Sequence, residues 1–240
     1  HPKAAWLKAH ALENMNRPAE ALSVLEKVVH QDAEPLPFQL KKVALCRQTQ
    51  EPEAALKRVS DLAEKNPNHP EVLALFAQIL ADTGQKEDAL QAAQLALQPY
   101  PDYELTAQEK ARLHHMIGSQ AAESGQLDKA IYHLNEAIQL DPGFIEPYLE
   151  LGFAYNKQRQ YLKAQNIFQQ ATTVAPNDPR PFLHTGLAFK EGKDYQSAEA
   201  MLRRAAQLAP SDVRIRKHLA AVAALNLVHN PHSIHIAAER

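Results

Sequence analysis

The chain has 240 residues, 45% of them apolar, with only seven glycines and a formal net charge of −2. The near-neutral charge gives no basic surface for nucleic acid, and no apolar run reaches the roughly 18 residues that insertion across a membrane requires. The single cysteine excludes an internal disulfide framework, and the predominance of helix-forming residues predicts an all-α protein.

Alanines recur along the chain at a fixed spacing, and a proline follows each of them from the second onward. The spacing is 34 residues throughout, except that the interval between the third and the fourth alanine is longer by seven residues. A period of this length indicates stacked supersecondary units, each too small to fold alone. The alanines are Ala21, Ala55, Ala89, Ala130, Ala164 and Ala198, and the prolines are Pro67, Pro101, Pro142, Pro176 and Pro210.

The first three units follow this pattern loosely. Lysines occupy a position that is usually apolar in such units, Lys8 in the first unit and Lys42 in the second, and the first unit has no proline at its end. Cys46 falls on a core position of the second unit, so a buried structural thiol is predicted rather than a nucleophile. The apolar positions that fit are Trp6, Ala9, Leu12, Leu25 and Val28, then Val43, Val59 and Leu62, then Leu73, Phe76, Ala77, Leu80 and Ala96.

The longer interval holds seven extra residues, around the stretch PDYELTAQEKAR. Thr106 and Glu109 have the spacing of a capping box, which predicts a helix that begins near Ala107. Seven residues amount to nearly two helical turns, or about 10 Å. We therefore expect the first helix of the fourth unit to be longer than the other first helices, and the alternative is a longer loop.

Each later unit contains two helical stripes joined by a polar turn. In the fifth unit, apolar residues recur at i, i+3, i+4 and i+7 on both sides of residues 158–160. Gly152 and Ala164 are small, so we expect the two helices to approach closely there. Pro176 cannot continue a helix, so the chain turns after the second one. The two stripes are Tyr148, Leu151, Gly152 and Tyr155, then Ala164, Phe168 and Ala171.

The fourth and sixth units carry similar residues at the same offsets, namely His114, Ile117, Gly118, Ala130, Leu134 and Ala137, then Phe182, Gly186, Phe189, Ala198, Leu202 and Ala205. This pattern resembles the tetratricopeptide (TPR) repeat, whose signature has an aromatic residue, Leu-Gly, Tyr, Ala, Phe, Ala and Pro at these offsets. The resemblance implies an all-α, right-handed superhelical solenoid of about six helix-turn-helix repeats. We assign the repeats to residues 2–33, 36–67, 70–101, 107–142, 145–176 and 179–210.

Residues 213–229 continue the first-helix stripe with Leu219, Ala220 and Ala223, and Ser211 or Asp212 is the predicted N-cap. No second helix follows in the sequence. Residues 213–229 are therefore predicted to form a capping helix that completes the array and shields the open end of the stack. Residues 230–240 lack helical periodicity and are predicted to form a C-terminal tail.

The sequence contains no pattern typical of catalysis. It has no glycine-rich phosphate loop, no G-x-S-x-G or H-E-x-x-H motif and no paired C-x-x-C. Carboxylates such as Glu146 and Glu150 are interpreted as a solvated helix face. His229, His232 and His235 could hold a metal ion if the tail folded around it, but an exposed tail is favoured. We therefore predict a protein that is not an enzyme and has no cofactor or metal.

The surface of the first helices is the candidate binding site, because the resemblance implies that these helices line a concave groove. Leu149, Phe153, Leu183 and Leu187 are not required by the repeat signature, so exposed apolar side chains that bind a ligand are predicted there. The alternative is that they pack against neighbouring first helices. The predicted site consists of Arg112, His115, Met116, Leu149, Phe153, Asn156, Arg180, Leu183, His184, Leu187, Lys190, Arg214, Lys217 and His218.

The charge of the chain changes along its length. Residues 179–240 contain nine Lys/Arg against five Asp/Glu, a net charge of +4, whereas residues 1–178 contain 17 against 23, a net charge of −6. An acidic or C-terminal carboxylate ligand would suit the basic end of the groove. Some TPR proteins grip a terminal carboxylate with Lys, Asn and Arg on three repeats, but this chain does not match that clamp.

The function predicted is a non-catalytic scaffold that binds a peptide or a partner protein in its groove. The alternative is a regulatory or substrate-docking arm of a larger enzyme, such as a glycosyltransferase or a kinase. Self-association through Trp6 and Leu7 is a further hypothesis, although these residues could equally contact a missing upstream repeat. The chain begins at His1 rather than Met, so we expect it to be part of a longer protein, and we expect a cytoplasmic location.

Overall fold

The computed structural model describes residues 1–28, 34–49, 51–101 and 103–229, and these residues form thirteen helices. No strand occurs in these ranges, which contain one isolated β-bridge between Tyr100 and Tyr103. The predicted all-α helical-repeat fold is confirmed. The helices are α1 (Pro2–Asn14), α2 (Pro18–Glu26), α3 (Leu36–Gln48), α4 (Pro52–Lys65), α5 (Pro70–Asp82), α6 (Lys86–Ala96), α7 (Ala107–Glu123), α8 (Leu127–Leu140), α9 (Ile145–Lys157), α10 (Tyr161–Val174), α11 (Pro179–Glu191), α12 (Tyr195–Leu208) and α13 (Val213–His229).

The turn between the first and the second helix of a pair is tight and needs a left-handed residue. Each such turn that the structure describes has a residue with a positive φ, between 57° and 81°. Glycine adopts this conformation without strain, whereas other residues adopt it at a cost of about 1 kcal/mol. These residues are Asn16, Gly84, Gly125, Arg159 and Lys193.

The chain divides into two compact units, His1–Ile117 and Gly118–Arg240, and the division falls within α7. In the N-terminal unit, alanines and leucines of successive helices form the core. Cys46 is 1% exposed there, in a cluster with Val43 and Val59, so the prediction of a buried thiol is confirmed. Burial raises the pKa of this thiol, which disfavours the reactive thiolate.

The start of α7 is held by the predicted capping box. The backbone N–H of Thr106 donates to Oε2 of Glu109 at 2.8 Å, and the backbone N–H of Glu109 donates to Oγ1 of Thr106 at 3.2 Å. The two bonds satisfy N–H groups that have no partner within the helix. α7 has 17 residues, whereas the other five first helices have 13 each, so the predicted longer helix is confirmed.

In the C-terminal unit, glycines allow the two helices of each pair to approach closely. A Cβ atom built on Gly118 would lie 2.9 Å from Cγ of Leu134, and one on Gly186 would lie 2.8 Å from Cγ of Leu202. A Cβ atom built on Gly152 would meet atoms of the Phe168 ring. The predicted close approach is confirmed, and the large side chain of the second helix is what occupies the space above each glycine.

α13 packs against the last helix pair. Ile215 and Val222 are fully buried, and they share a core cluster with Leu202 and Ala205 of α12. Asp212 is the N-cap, because its Oδ1 accepts a hydrogen bond of 2.8 Å from the backbone N–H of Arg214. The tail assigned to residues 230–240, with two of the three candidate metal-binding histidines, lies outside the described residues.

Candidate functional site

Three of the predicted site residues belong to the N-terminal unit. Arg112 is exposed on α7, whereas His115 and Met116 are half-buried. Met116 packs against the core cluster that contains Leu113 and Ile117. Arg112 is therefore the one of these three residues that is mainly presented to solvent.

The other predicted site residues lie on α9, α11 and α13 in the C-terminal unit, and their burial differs widely. Leu149 and Leu183 are only 6% and 9% exposed, so the prediction of an exposed apolar strip is wrong for these two leucines. Leu149 shares a core cluster with Ala188 of the neighbouring first helix, and Leu187 is half-buried against the cluster around α12 and α13. The alternative interpretation, packing against neighbouring helices, describes them better.

Phe153 is the apolar residue of the predicted site that stays accessible, with 41% of its surface exposed. Its ring lies edge-on to the ring of His184, with 4.7 Å between the ring centroids, and edge-on to the buried ring of Phe168 at 5.5 Å. T-shaped contacts at these distances are favourable for aromatic pairs. We call the rings of Phe153, Phe168 and His184 the aromatic cluster. The contacts with Phe168 and His184 hold the ring of Phe153 in a defined orientation at the surface.

Arg180 borders the aromatic cluster but is engaged in ion pairs. Its guanidinium lies 2.6 Å from Oδ2 of Asp178 and 3.4 Å from Oε1 of Glu146. Burial by itself would raise the pKa of Asp178, but the hydrogen bonds from Arg180 outweigh burial and lower it. The positive charge predicted at this position is thus largely balanced by two carboxylates.

His184 is neutral at pH 7 because its pKa is lowered from 6.5 to about 4. Burial of the imidazole is the main cause, and the positive charges of Arg180 and Arg214 act in the same direction. Asp178 opposes them and His218 adds to them. The ring therefore takes part in the cluster as an uncharged aromatic group rather than as a cation.

This pKa gives the C-terminal unit a specific pH dependence. Between pH 6.5 and pH 4 the unfolded chain binds a proton at His184 and the folded chain does not, so stability falls as the pH falls through that window. We expect thermal unfolding of a His184→Phe variant, which keeps an aromatic ring, to lose less midpoint temperature between pH 7 and pH 4.5 than the parent protein. Parallel curves for the two proteins would contradict the assignment.

The remaining predicted residues lie on α9, α11 and α13. Arg214 is exposed but pairs with Asp212 at 2.9 Å, and Lys217 is exposed without an ion-pair partner among the described residues. The half-buried members are Asn156, Lys190 and His218. The predicted site residues on α9, α11 and α13 therefore comprise one accessible aromatic ring, that of Phe153, together with several polar side chains.

The N-terminal unit contains a cavity that the sequence pattern did not indicate. It has a volume of about 380 Å³ and lies on the first helices, beside the small residues Ala44 and Ala74. Those alanines are the sequence signal that could have indicated it, because small side chains leave space between neighbouring helices. Its other lining residues are Trp6, Pro37, Leu40, Lys41, Arg47, Gln48, Glu71, Leu75, Gln78, Glu109 and Arg112.

Two of the five charged side chains that line this cavity form ion pairs within the unit. Lys41 forms an ion pair with Glu13, and Arg47 forms one with Asp82 while donating a hydrogen bond of 2.7 Å to Gln78. Such pairs fix the side chains that form the walls. The cavity is lined by both polar and apolar side chains.

No described helix has both the length and the apolar character needed to cross a membrane. Two protein-family models match this chain, both over its repeats. A family model described as TPR repeat matches residues 118–159, and a second, described as tetratricopeptide repeat, matches residues 47–104 and 149–213. The second alone covers half of the chain.

Similar proteins share this repeat region. The probable UDP-N-acetylglucosamine–peptide N-acetylglucosaminyltransferase SPINDLY of Hordeum vulgare is 24% identical over 169 residues, which are 70% of this chain and 18% of that protein. The chain thus spans about a fifth of the length of that relative. The similarity covers repeats and says nothing by itself about an activity of this chain.

Solved structures show the same fold at low identity. PilF of Pseudomonas aeruginosa superposes with a TM-score of 0.76 at 17% identity, covering 92% of this chain and 97% of that one. YrrB, a TPR protein with an unusual peptide-binding site, superposes with a TM-score of 0.62 at 18% identity, covering 81% and 96%. The solved structures show the same fold, and the family model that matches half of the chain shows that the chain belongs to the tetratricopeptide repeat family.

Proposed function

We propose that this protein is a non-catalytic interaction scaffold that binds a peptide or a partner protein on the face of α9, α11 and α13. The observation that carries the proposal is the exposure of the Phe153 ring together with its fixed orientation. A ring with 41% of its surface exposed contributes little to the core, yet the aromatic cluster holds it in one orientation. Rigid, partly exposed aromatic side chains are typical anchors of protein interfaces.

The ligand that suits this face has an apolar side chain and an acidic group. The apolar side chain would contact the ring of Phe153, and the acidic group would lie near Lys217, which is exposed and has no ion-pair partner among the described residues, whereas Arg214 is already paired with Asp212. Arg180 contributes less than its charge suggests, since Asp178 and Glu146 already pair with it. The solved TPR protein with a peptide-binding site, YrrB, supports the class of ligand.

A second candidate function is a docking arm of a larger enzyme. The similarity to SPINDLY, an enzyme of which the matching repeats form 18%, favours this possibility. In that case the same face would bind a substrate protein or a regulatory segment. Both functions use the repeats to bind polypeptide and assign no chemical step to them.

The test begins with a partner recovered by affinity purification and identified by mass spectrometry, whose affinity is then measured by calorimetry. We expect Phe153→Ala to weaken binding by about 2 kcal/mol, the size of an interface hot spot. Arg180→Glu should weaken binding by less than Phe153→Ala does. Its effect should be larger at low salt than at high salt, because salt screens charge interactions.

Two variants on second helices are the matched controls. Tyr161→Ala removes a ring that is 51% exposed on α10, and Arg203→Glu reverses a charge that is paired with Glu199 on α12. Both should bind the partner like the parent protein, and circular dichroism should show equal helix content in all four variants. If the controls abolish binding while Phe153→Ala and Arg180→Glu leave it unchanged, the assigned face is wrong.

A further inference from the structure

One face of each preceding first helix is covered by the second helix of its pair, and the equivalent face of α13 is exposed. Ala220 occupies the repeat position that Gly118, Gly152 and Gly186 hold in the three preceding first helices, at the same regular spacing. Each of those glycines lies under a large side chain of the second helix that follows it. Ala220 is exposed, and no second helix follows α13 within the described part of the chain.

The exposed face of α13 carries apolar residues from its first turn to its last. At 100° per residue, Val213, Ala220, Ala224 and Leu227 lie on one side of the helix, opposite the buried Ile215 and Val222. Val213 is 53% exposed and Leu227 is 50% exposed. A terminal helix that only caps a stack presents a polar outer surface to water, whereas the exposed side of α13 carries these apolar residues beside Arg216 and Lys217.

The turn that would bring a second helix onto this face is replaced by helix. In the three preceding pairs, Gly125, Arg159 and Lys193 occupy the left-handed position, each one repeat length after the last. The equivalent residue is Leu227, and α13 continues as helix through it to His229. Because the chain stays helical where the other repeats turn back, α13 keeps the surface of a first helix, and no second helix among the described residues covers it.

We propose that this face of α13 accepts a helix from a partner protein, which completes a seventh helix pair. The earlier pairs define what fits: an antiparallel amphipathic helix with Ala, a large apolar residue and Ala at the spacing of Ala198, Leu202 and Ala205. The large residue packs over Ala220. The methyl group of Ala220, absent from the glycines, makes the incoming helix stand slightly further away.

Charge adds a second requirement for the partner helix. Arg216 lies on the same side of α13, is exposed, and has no ion-pair partner among the described residues. An antiparallel helix brings its last turn to that end of α13. A glutamate or aspartate in the last turn of the partner helix would therefore pair with Arg216, and a basic last turn would be repelled.

The experiment uses a synthetic helical peptide of about four turns with the Ala-x3-Leu-x2-Ala pattern, two glutamates in its last turn and a fluorescein label. Fluorescence anisotropy with the whole chain should show saturable binding. We expect Ala220→Arg to weaken it at least tenfold and Arg216→Glu to weaken it several-fold, most strongly at low salt. A peptide with lysines in place of the two glutamates should bind more weakly than the acidic one.

Ala200→Arg, at an exposed position of α12, is the matched control and should leave the affinity unchanged. The altered residues are exposed, so the variants should unfold at the same temperature as the parent. No binding of the acidic peptide, or binding unaffected by Ala220→Arg, would overturn the proposal. Light scattering that shows a dimer of the parent chain dissociated by Ala220→Arg would also overturn it, by assigning the face to a second copy.

Discussion

Replacing Gly152 with leucine is expected to destabilise the C-terminal unit by roughly 3 kcal/mol, the upper part of the usual range for overpacking in a core. A Cβ atom at this position would lie 2.5 Å from Cζ of Phe168, inside the contact distance of two carbon atoms. Phe168 is 1% exposed and packs in a core cluster with Ala164 and Ala171, so its ring has to displace neighbouring core residues in order to move. The two helices would have to separate, and thermal unfolding should report a lower midpoint.

The clash itself can be tested with a double-mutant cycle. Phe168→Ala alone should cost several kcal/mol through a cavity, but combined with Gly152→Leu it should cost less than the sum, because the added side chain fills the space. Thr173→Leu, at an exposed position of α10, is the control for the change to leucine. Unchanged unfolding of Gly152→Leu would mean that the assigned phase of the repeats is incorrect.

Deleting residues 213–240 is expected to have the second large effect. Ile215 and Val222 are fully buried against the last helix pair, so their loss exposes Leu202, Ala205 and their neighbours to water. Each buried side chain of this size contributes about 1.5–3 kcal/mol through burial. The truncated chain should unfold at a lower temperature and aggregate, as measured by calorimetry and size-exclusion chromatography.

Deleting only residues 231–240 is the matched control, and we expect it to change the unfolding temperature little. A milder variant, Ile215→Ala with Val222→Ala, keeps the helix but removes much of its apolar contact, and it should lie between the two deletions. A chain without residues 213–240 that stays monomeric and unfolds at the temperature of the parent would show that α13 does not act as a cap.

The helix pairs and their phase could be predicted from the sequence because the signals are local. A capping box needs only Thr106 and Glu109, a turn needs a few adjacent residues, and the helix stripes recur within one unit. The long α7, the Asp212 cap and the close approach at Gly152 follow from contiguous residues in the same way. Each of these features depends on a segment no longer than one repeat, so the sequence of that segment is sufficient to predict it.

What the tertiary structure decided is which inward residues remain exposed and which charges remain free. Leu149 and Phe153 lie one helical turn apart on α9 and look equivalent in the sequence, yet Leu149 is buried beside Ala188 and Phe153 is not. Arg180 pairs with Glu146, which belongs to the preceding repeat. Burial and pairing at these positions depend on the side chains that a neighbouring helix brings within about 4 Å. Those distances are set by the stacking of whole repeats, a property that no single repeat contains.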